Sequence, residues 1–319
     1  MKNIAVLGLG AHAIKTAIPA ILKSDTLNLV GVCTRNAQKG EAFAKENSIK
    51  YWNDESALLQ DCSVDIVYVS TPVGVHYQQV RNALLAGKHV FCEKSLVENL
   101  TQCSDLFQIA NDANLVLAEC FMYFYHSQFK CFYEKVQTGM IGDLKTIRAR
   151  FGYPHLDKDN IRYDRSLGGG ALLDAGVYPI SLFAELSKGN IEQFHGMLER
   201  CSDFNVDIGG SFYGTSGNVS FYGDWGMGRD YTNELEAWGS EGKIKVERAF
   251  SKPASLATQV TVVKNGVTEI IEIQADDHFL NMFNFFVSLI RNVKESHNVR
   301  ARSLFVAQLV DKLKENEFK

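Results

Sequence analysis

A chain of 319 residues, 46% hydrophobic and 22% charged, is long enough for about two globular domains, each with its own core. Its formal charge of -4 supplies no basic face, which argues against nucleic acid and anionic membrane surfaces as general partners and favours a small-molecule ligand. The seven cysteines are odd in number and lack CxxC spacing, so they read as reduced core residues; with no leader pattern at the start and no apolar run near 18 residues, the expectation is a soluble, cytoplasmic protein.

From residue 3 to about 120, short apolar runs at 4–8, 29–33, 65–70, 88–93 and 114–119 alternate with amphipathic segments at 13–22, 37–46, 76–87 and 100–113. Strand then helix, repeated, predicts a doubly wound α/β domain with a parallel sheet. Beyond residue 140 the runs lengthen and alternate, at 145–153, 206–214, 217–225, 232–240, 242–250, 259–265 and 268–273. That pattern predicts an open, mostly antiparallel sheet with one face covered, the cover being a helix over 168–187. Two further helices are expected at about 278–294 and 300–315. No repeat or long linker intervenes, so the domains are drawn as 1–122 and 123–319.

The first strand runs into Gly8-Leu9-Gly10-Ala11-His12-Ala13, a GxGxxA. Glycine at 8 allows a tight turn, glycine at 10 allows close backbone approach to a pyrophosphate, and Ala13 lets the following helix pack on the strand. Helix N-terminal amides then hold the anion. At the end of the second strand stand Cys33, Thr34 and Arg35, with Lys39 after them, and no acid. An acid there would bind a ribose 2'-hydroxyl and repel a 2'-phosphate, so its absence beside a guanidinium favours NADP(H) while leaving NAD(H) open.

Ser70-Thr71-Pro72-Val73-Gly74-Val75-His76 follows another strand, at the sheet edge where α/β ligands bind. Ser70, Thr71, Pro72 and His76 are therefore candidate cofactor contacts, though His76 can equally start a helix. Glu93-Lys94-Ser95 ends the next strand. Buried charges there are costly unless used, and a lysine beside a nicotinamide can stabilise charge developing on a substrate oxygen. The competing reading is a strand-end ion pair facing water.

The GxGxxA loop, TPVGVH, HVFCEKS, AECFMYFYHSQ and GGGALLDAGVYPI occur in an order that resembles the glucose-fructose oxidoreductase, inositol dehydrogenase and rhizopine-catabolism (Gfo/Idh/MocA) family over nearly the whole chain. The resemblance implies a Rossmann domain paired with an α+β domain, and an EKP motif whose lysine, here Lys94, serves cofactor and substrate. It also implies an aspartate followed four residues later by histidine, positions held here by Asp174 and Tyr178. IRYDRSLGGGALLDAGVYPI, the HSQ at 126–128 and ELEAWGSEGKIKVERAFSKP at 234–253 are most similar to NDP-hexose 3-ketoreductases, which use NADPH. Family members commonly dimerise through the outer face of the second sheet, so a homodimer or higher homo-oligomer is expected. The motif proline is Ser95 here, and an asparagine common after the TP pair is Val73.

These residues suggest a reductase. On a helix, Asp174 and Tyr178 share one face. Tyr178 would protonate the keto oxygen while Lys94 hydrogen-bonds that oxygen and Asp174 orients the sugar hydroxyls. Arg162, Tyr163 and Arg165 are candidates for a nucleotide diphosphate and base; Tyr123, Tyr125 and His126 are candidate cleft residues, their aromatic density being at least as well explained by packing. Gly168, Gly169 and Gly170 would let the backbone approach cofactor or substrate where a Cβ would obstruct. No metal-ligand spacing is present. Two other readings remain open: a dehydrogenase of free sugars or trans-dihydrodiols, and a non-catalytic dinucleotide-binding sensor.

Overall fold

The computed structural model describes residues 1–201 and 203–315. The chain forms two compact units, one of residues 1–120 and 279–304 and the other of residues 121–278 and 305–319.

In the first unit, β1 (Lys2–Leu7), β2 (Leu27–Cys33), β3 (Lys50–Trp52), β4 (Ile66–Val69), β5 (His89–Glu93) and β6 (Leu117–Cys120) form one parallel sheet in the order β3-β2-β1-β4-β5-β6. Ile4 lies opposite Leu29 on one side and Ile66 on the other, and such central positions are fully buried. Burial on both faces explains why these strands read as unbroken apolar runs. The order reverses direction between β1 and β4, which makes the carboxyl ends of those strands the natural ligand crevice.

The intervening helices are α1 (Ile18–Lys23), α2 (Ala37–Asn47), α3 (Glu55–Gln60), α4 (Val73–Leu85) and α5 (Leu100–Asp112). Asn36, Asp54 and Asn99 cap α2, α3 and α5 by accepting from backbone amides of the first turn. Sequence periodicity misses β3 and α3, because three and six residues are too short to display it. Nor does it foresee that Ala13–Ala17, straight after the glycine loop, is a π-helical turn feeding α1.

The second unit opens with α6 (Ser127–Gln137) and holds β7 (Leu144–Tyr153), β8 (Gln193–Arg200), β9 (Asp207–Ser216), β10 (Val219–Met227), β11 (Thr232–Gly239), β12 (Gly242–Glu247), β13 (Thr258–Lys264) and β14 (Val267–Ile273). The sheet order is β14-β13-β12-β11-β7-β10-β9-β8, antiparallel except for the β7–β10 pair. The sequence reading lacks β8, an edge strand with mostly polar, accessible side chains and little apolar alternation. On one face lies a π turn, Leu172–Gly176, continuing into α7 (Val177–Ser187). Gly176 is required there, since a Cβ would stand 2.6 Å from the Trp225 indole of β10. The stretch Arg165–Ser187 has the length and hydropathy of a membrane span, contrary to the expectation that no such run exists; 83% of its most apolar window is buried within the protein, as in a core helix.

The opposite face of this sheet is charged and accessible. Arg150 of β7 bridges Asp224 of β10 at 3.1 Å and Glu234 of β11 at 3.0 Å, and Trp238 is 56% exposed.

Two helices close the chain, α8 (His278–Arg291) and α9 (His297–Glu315). A contiguous division into 1–122 and 123–319 does not describe the packing, because residues 279–304 return to the first unit. The reason is aromatic burial: Phe283 meets the Tyr68 ring edge-on at 5.4 Å and Phe286 meets Phe91 at 5.2 Å. Ser24 and Thr26 also donate to the Asn284 side-chain oxygen, at 2.7 and 2.8 Å.

Candidate active site

Within the first unit the sequence-predicted cofactor residues converge at the carboxyl ends of β1, β2, β4 and β5. Gly8 has φ +100°, and a Cβ on it would lie 2.6 Å from the Ser70 carbonyl oxygen and 2.7 Å from the Thr71 methyl. Only glycine lets the β1 loop nest on the Ser70–Pro72 turn. A Cβ on Gly10, by contrast, would meet no atom within 4 Å, so that backbone is open to a close-approaching group. Ala13 is fully buried, as a helix packed tightly on its strand requires. Lys39 reaches back from α2 to donate to the Leu9 carbonyl at 2.7 Å, which places its cation on the glycine loop.

At the end of β2, Thr34 accepts from the Asn36 amide at 3.3 Å, its carbonyl accepts from Tyr51 at 3.2 Å, and Arg35 is exposed. The residues present thus fit a dinucleotide: a side-chain-free cradle, a helix start behind it, and cations instead of an acid at the ribose end.

Glu93 is not a strand-end charge facing water. It is buried and accepts from the Tyr68 hydroxyl at 2.5 Å, with His12 Nε2 at 3.2 Å. Burial alone would raise its pKa, but the His12 ring, the Tyr68 phenol and the Lys94 charge outweigh it and hold the carboxylate below its ordinary value. His12 therefore links the glycine loop to the Glu93-Lys94 strand end. Tyr68 escaped sequence reasoning; the signal was a phenol inside the otherwise apolar IVYV, a group that needs a polar partner when buried.

His76, expected among the cofactor contacts, lies between two backbone carbonyls. It is fully buried, with Nδ1 2.8 Å from the Ser95 carbonyl and Nε2 2.8 Å from the Thr71 carbonyl. Burial lowers its pKa, although two carbonyl acceptors favour the protonated ring. Its role is to staple the Thr71 turn to the Lys94–Ser95 segment, whose connecting peptide bond is cis. Thr71 itself donates to Gln79 at 2.6 Å.

In the second unit, Asp174 lies in the π turn and accepts from the Tyr153 hydroxyl and, at 2.7 Å, from Arg162 Nε. The Asp174 charge raises the Arg162 pKa above its already high ordinary value, while burial and then Asp174 raise that of Tyr153. Tyr178 follows at the start of α7, its ring against Phe151 at 5.1 Å and its hydroxyl 3.9 Å from the Met122 sulfur. Phe151 and Tyr153 are alternate residues of β7 with rings 6.0 Å apart, so the partners of Tyr178 and Asp174 share one strand face.

Other expected residues have different duties. Tyr123 is fully buried, with rings of Phe250, Phe129 and Tyr178 around it and its hydroxyl 3.0 Å from Ser181. His126 is also fully buried; it caps α6 by accepting from the Gln128 amide at 2.9 Å, and burial pulls its pKa down to about 4. Both pack in the core of this unit. Tyr163 stacks on Phe204 at 4.1 Å and contacts His155 and the Leu156 amide through its hydroxyl, so one ring face is committed to packing. Arg165 is exposed.

The glycine run packs closely on its own chain. A Cβ on Gly169 would strike the Arg162 and Asp164 carbonyls at 2.7 Å, and one on Gly170 would strike Asp207 at 2.3 Å. These glycines make room for the protein's own turn. Asp207 then accepts from the Leu172 amide at 2.6 Å, supplying the helix start with the cap that its own sequence lacks. Among the described residues, no group of three His, Cys, Asp or Glu gathers as a metal site.

Comparison with known proteins agrees with this architecture. Residues 2–121 match the oxidoreductase family with an NAD-binding Rossmann fold called GFO_IDH_MocA, and residues 129–245 match the GFO/IDH/MocA C-terminal domain. A dTDP-3,4-didehydro-2,6-dideoxy-alpha-D-glucose 3-reductase of Saccharopolyspora spinosa is 32% identical over 91% of this chain and 87% of its own length. The enzyme of the same description from Streptomyces violaceoruber is 32% identical over 98% and 94%. A 3-ketoreductase from Actinomadura kijaniata, solved with NADP and TDP-benzene, superposes with a TM-score of 0.93 at 30% identity, covering 98% of this chain and 97% of that one.

Proposed function

The chain belongs to the Gfo/Idh/MocA family of oxidoreductases, and on that premise we propose that it reduces the 3-keto group of a nucleotide-linked deoxyhexose with NADPH. The observation that carries this reading is the likeness to dTDP-keto-sugar reductases across both halves of the chain, with the cofactor cradle and the Asp174–Arg162 pair both present.

NADPH, when bound, supplies the hydride to the keto carbon. The chain's part is to hold and neutralise. The Gly8–Ala13 turn takes the pyrophosphate on its amides, and Thr34, Arg35 and Lys39 take the 2'-phosphate. Tyr178 donates its hydroxyl proton to the carbonyl oxygen as that oxygen becomes a hydroxyl, and Lys94 stabilises the charge developing there. Asp174, aligned by Tyr153 and Arg162, accepts from sugar hydroxyls. Arg162 spends Nε on Asp174 and has Nη1 3.5 Å from the Asn160 side-chain oxygen, so Nη2 is the atom assigned to the diphosphate, with Arg165 and the Tyr163 edge as further contacts.

A thermal-shift panel tests substrate class and cofactor together. NADPH should raise Tm more than NADH at equal concentration, and dTDP should add a further rise that free hexoses and dihydrodiols do not, by mass action. Stabilisation by free sugars alone would move the assignment to a sugar dehydrogenase. Persistent silence of NADPH absorbance at 340 nm with a panel of keto-sugar nucleotides would leave a non-catalytic sensor.

The proposal extends to a cytoplasmic enzyme, where its free cysteines would stay reduced, acting as a homodimer through the accessible face of the eight-stranded sheet. Exposed Trp238, beside the charge ladder around Arg150, supplies the apolar anchor. Sedimentation of a Trp238→Asp variant should show monomers; a wild-type monomer, or a variant that stays dimeric, counts against this interface.

A further inference from the structure

Every residue of β6 is buried, yet its sequence Leu117-Ala118-Glu119-Cys120 carries a carboxylate. Glu119 is 3% exposed and no part of the chemistry above uses it. Burying an unused carboxylate costs several kcal/mol, so its partners are informative. One oxygen accepts from the Leu96 amide at 2.8 Å. Leu96 follows Lys94 by two residues. The residue between them, Ser95, has its carbonyl 2.8 Å from His76. The segment carrying Lys94 is therefore gripped twice, through a carbonyl by His76 and through an amide by Glu119.

We propose that Glu119 is a positioning residue that fixes the 94–96 segment and thereby sets where the Lys94 ammonium stands. The inference rests on the reading of Lys94 as the group that meets the substrate oxygen. Around Glu119 are Arg302 and Ser303 of α9, Lys94, and the thiols of Cys92 and Cys120 on β5 and β6. Burial raises its pKa to about 6 against the pull of the Leu96 amide, Ser303, Arg302 and Lys94. Above that pH the bond from Leu96 is charge-assisted; below it the acceptor is neutral and the grip weakens.

The test compares Glu119→Ala with Glu119→Gln in the full chain, by hydrogen exchange of the peptide containing the Leu96 amide, by NADPH affinity from fluorescence, and by kcat and KM against pH. In Glu119→Ala, exchange at Leu96 should quicken at least tenfold and kcat should fall at least tenfold, with smaller changes in NADPH affinity. In Glu119→Gln, which keeps an acceptor oxygen, most of kcat should return and the pH dependence between 5 and 7 should flatten. Exchange unchanged in Glu119→Ala overturns the proposal, as does fast exchange with kcat within twofold of wild type. If Glu119→Ala does not fold, a Glu119→Gln pH profile identical to wild type overturns it instead. A wild type that reduces no keto-sugar nucleotide sinks the functional reading, and the grip is then judged on exchange alone.

Discussion

Replacing Lys94 by alanine is expected to lower kcat/KM for a keto-sugar nucleotide by roughly 10²–10³-fold, about 3–4 kcal/mol, the cost of losing one preorganised charge stabiliser. In the proposed reduction negative charge develops on the carbonyl oxygen, and the Lys94 ammonium would meet that charge without solvent having to reorganise. The surroundings prepare the strand end for this. Glu93, one residue earlier, is occupied by Tyr68 and His12 and remains ionised, which favours a cation next to it in the chain. His76 holds the following residue through its carbonyl. Stopped-flow oxidation of NADPH checks the number, with NADPH affinity measured beside it. A loss below tenfold would demote Lys94 to a structural role.

Tyr178→Phe is expected to lower kcat by about a hundredfold at saturating substrate, the usual worth of a positioned general acid, with KM little changed. The substitution is a clean probe because the ring is held by packing. Phe151 lies at 5.1 Å, Phe250 at 5.4 Å and Phe121 at 6.2 Å, and phenylalanine keeps all three contacts. The hydroxyl lost reaches the Met122 thioether at 3.9 Å, a weak acceptor. Near-normal rates in this variant would pass the proton to another donor. An ordinary phenol, with pKa near 10, stays protonated at neutral pH where histidine is largely an available base, so tyrosine at this position leans the site towards reduction.

Much of this was legible in the residues. Unbroken apolar runs such as IAVLG announced buried parallel strands, and alternation in TNELEAWGS announced a sheet with one covered face, because these patterns follow directly from how many faces of a strand meet the core. The glycine loop was legible for a similar reason: the positive φ at Gly8 belongs to the turn itself. Tertiary structure decided what depends on partners distant in sequence. The fate of residues 279–304 turned on Phe283 and Phe286 finding Tyr68 and Phe91. His76 became a staple, and Tyr123 and His126 core residues, because nothing local distinguishes a polar side chain facing a ligand from one paired with a buried carbonyl or amide. Glu119 and Tyr153 gained significance only from Leu96 and Asp174, each more than 20 residues away. The sequence by itself determined the two-unit α/β and α+β plan, the cofactor loop and the chemistry-bearing residue types. The tertiary structure alone decided which of those residues are committed to holding one another, because hydrogen-bond partners and burial are set by packing and not by spacing along the chain.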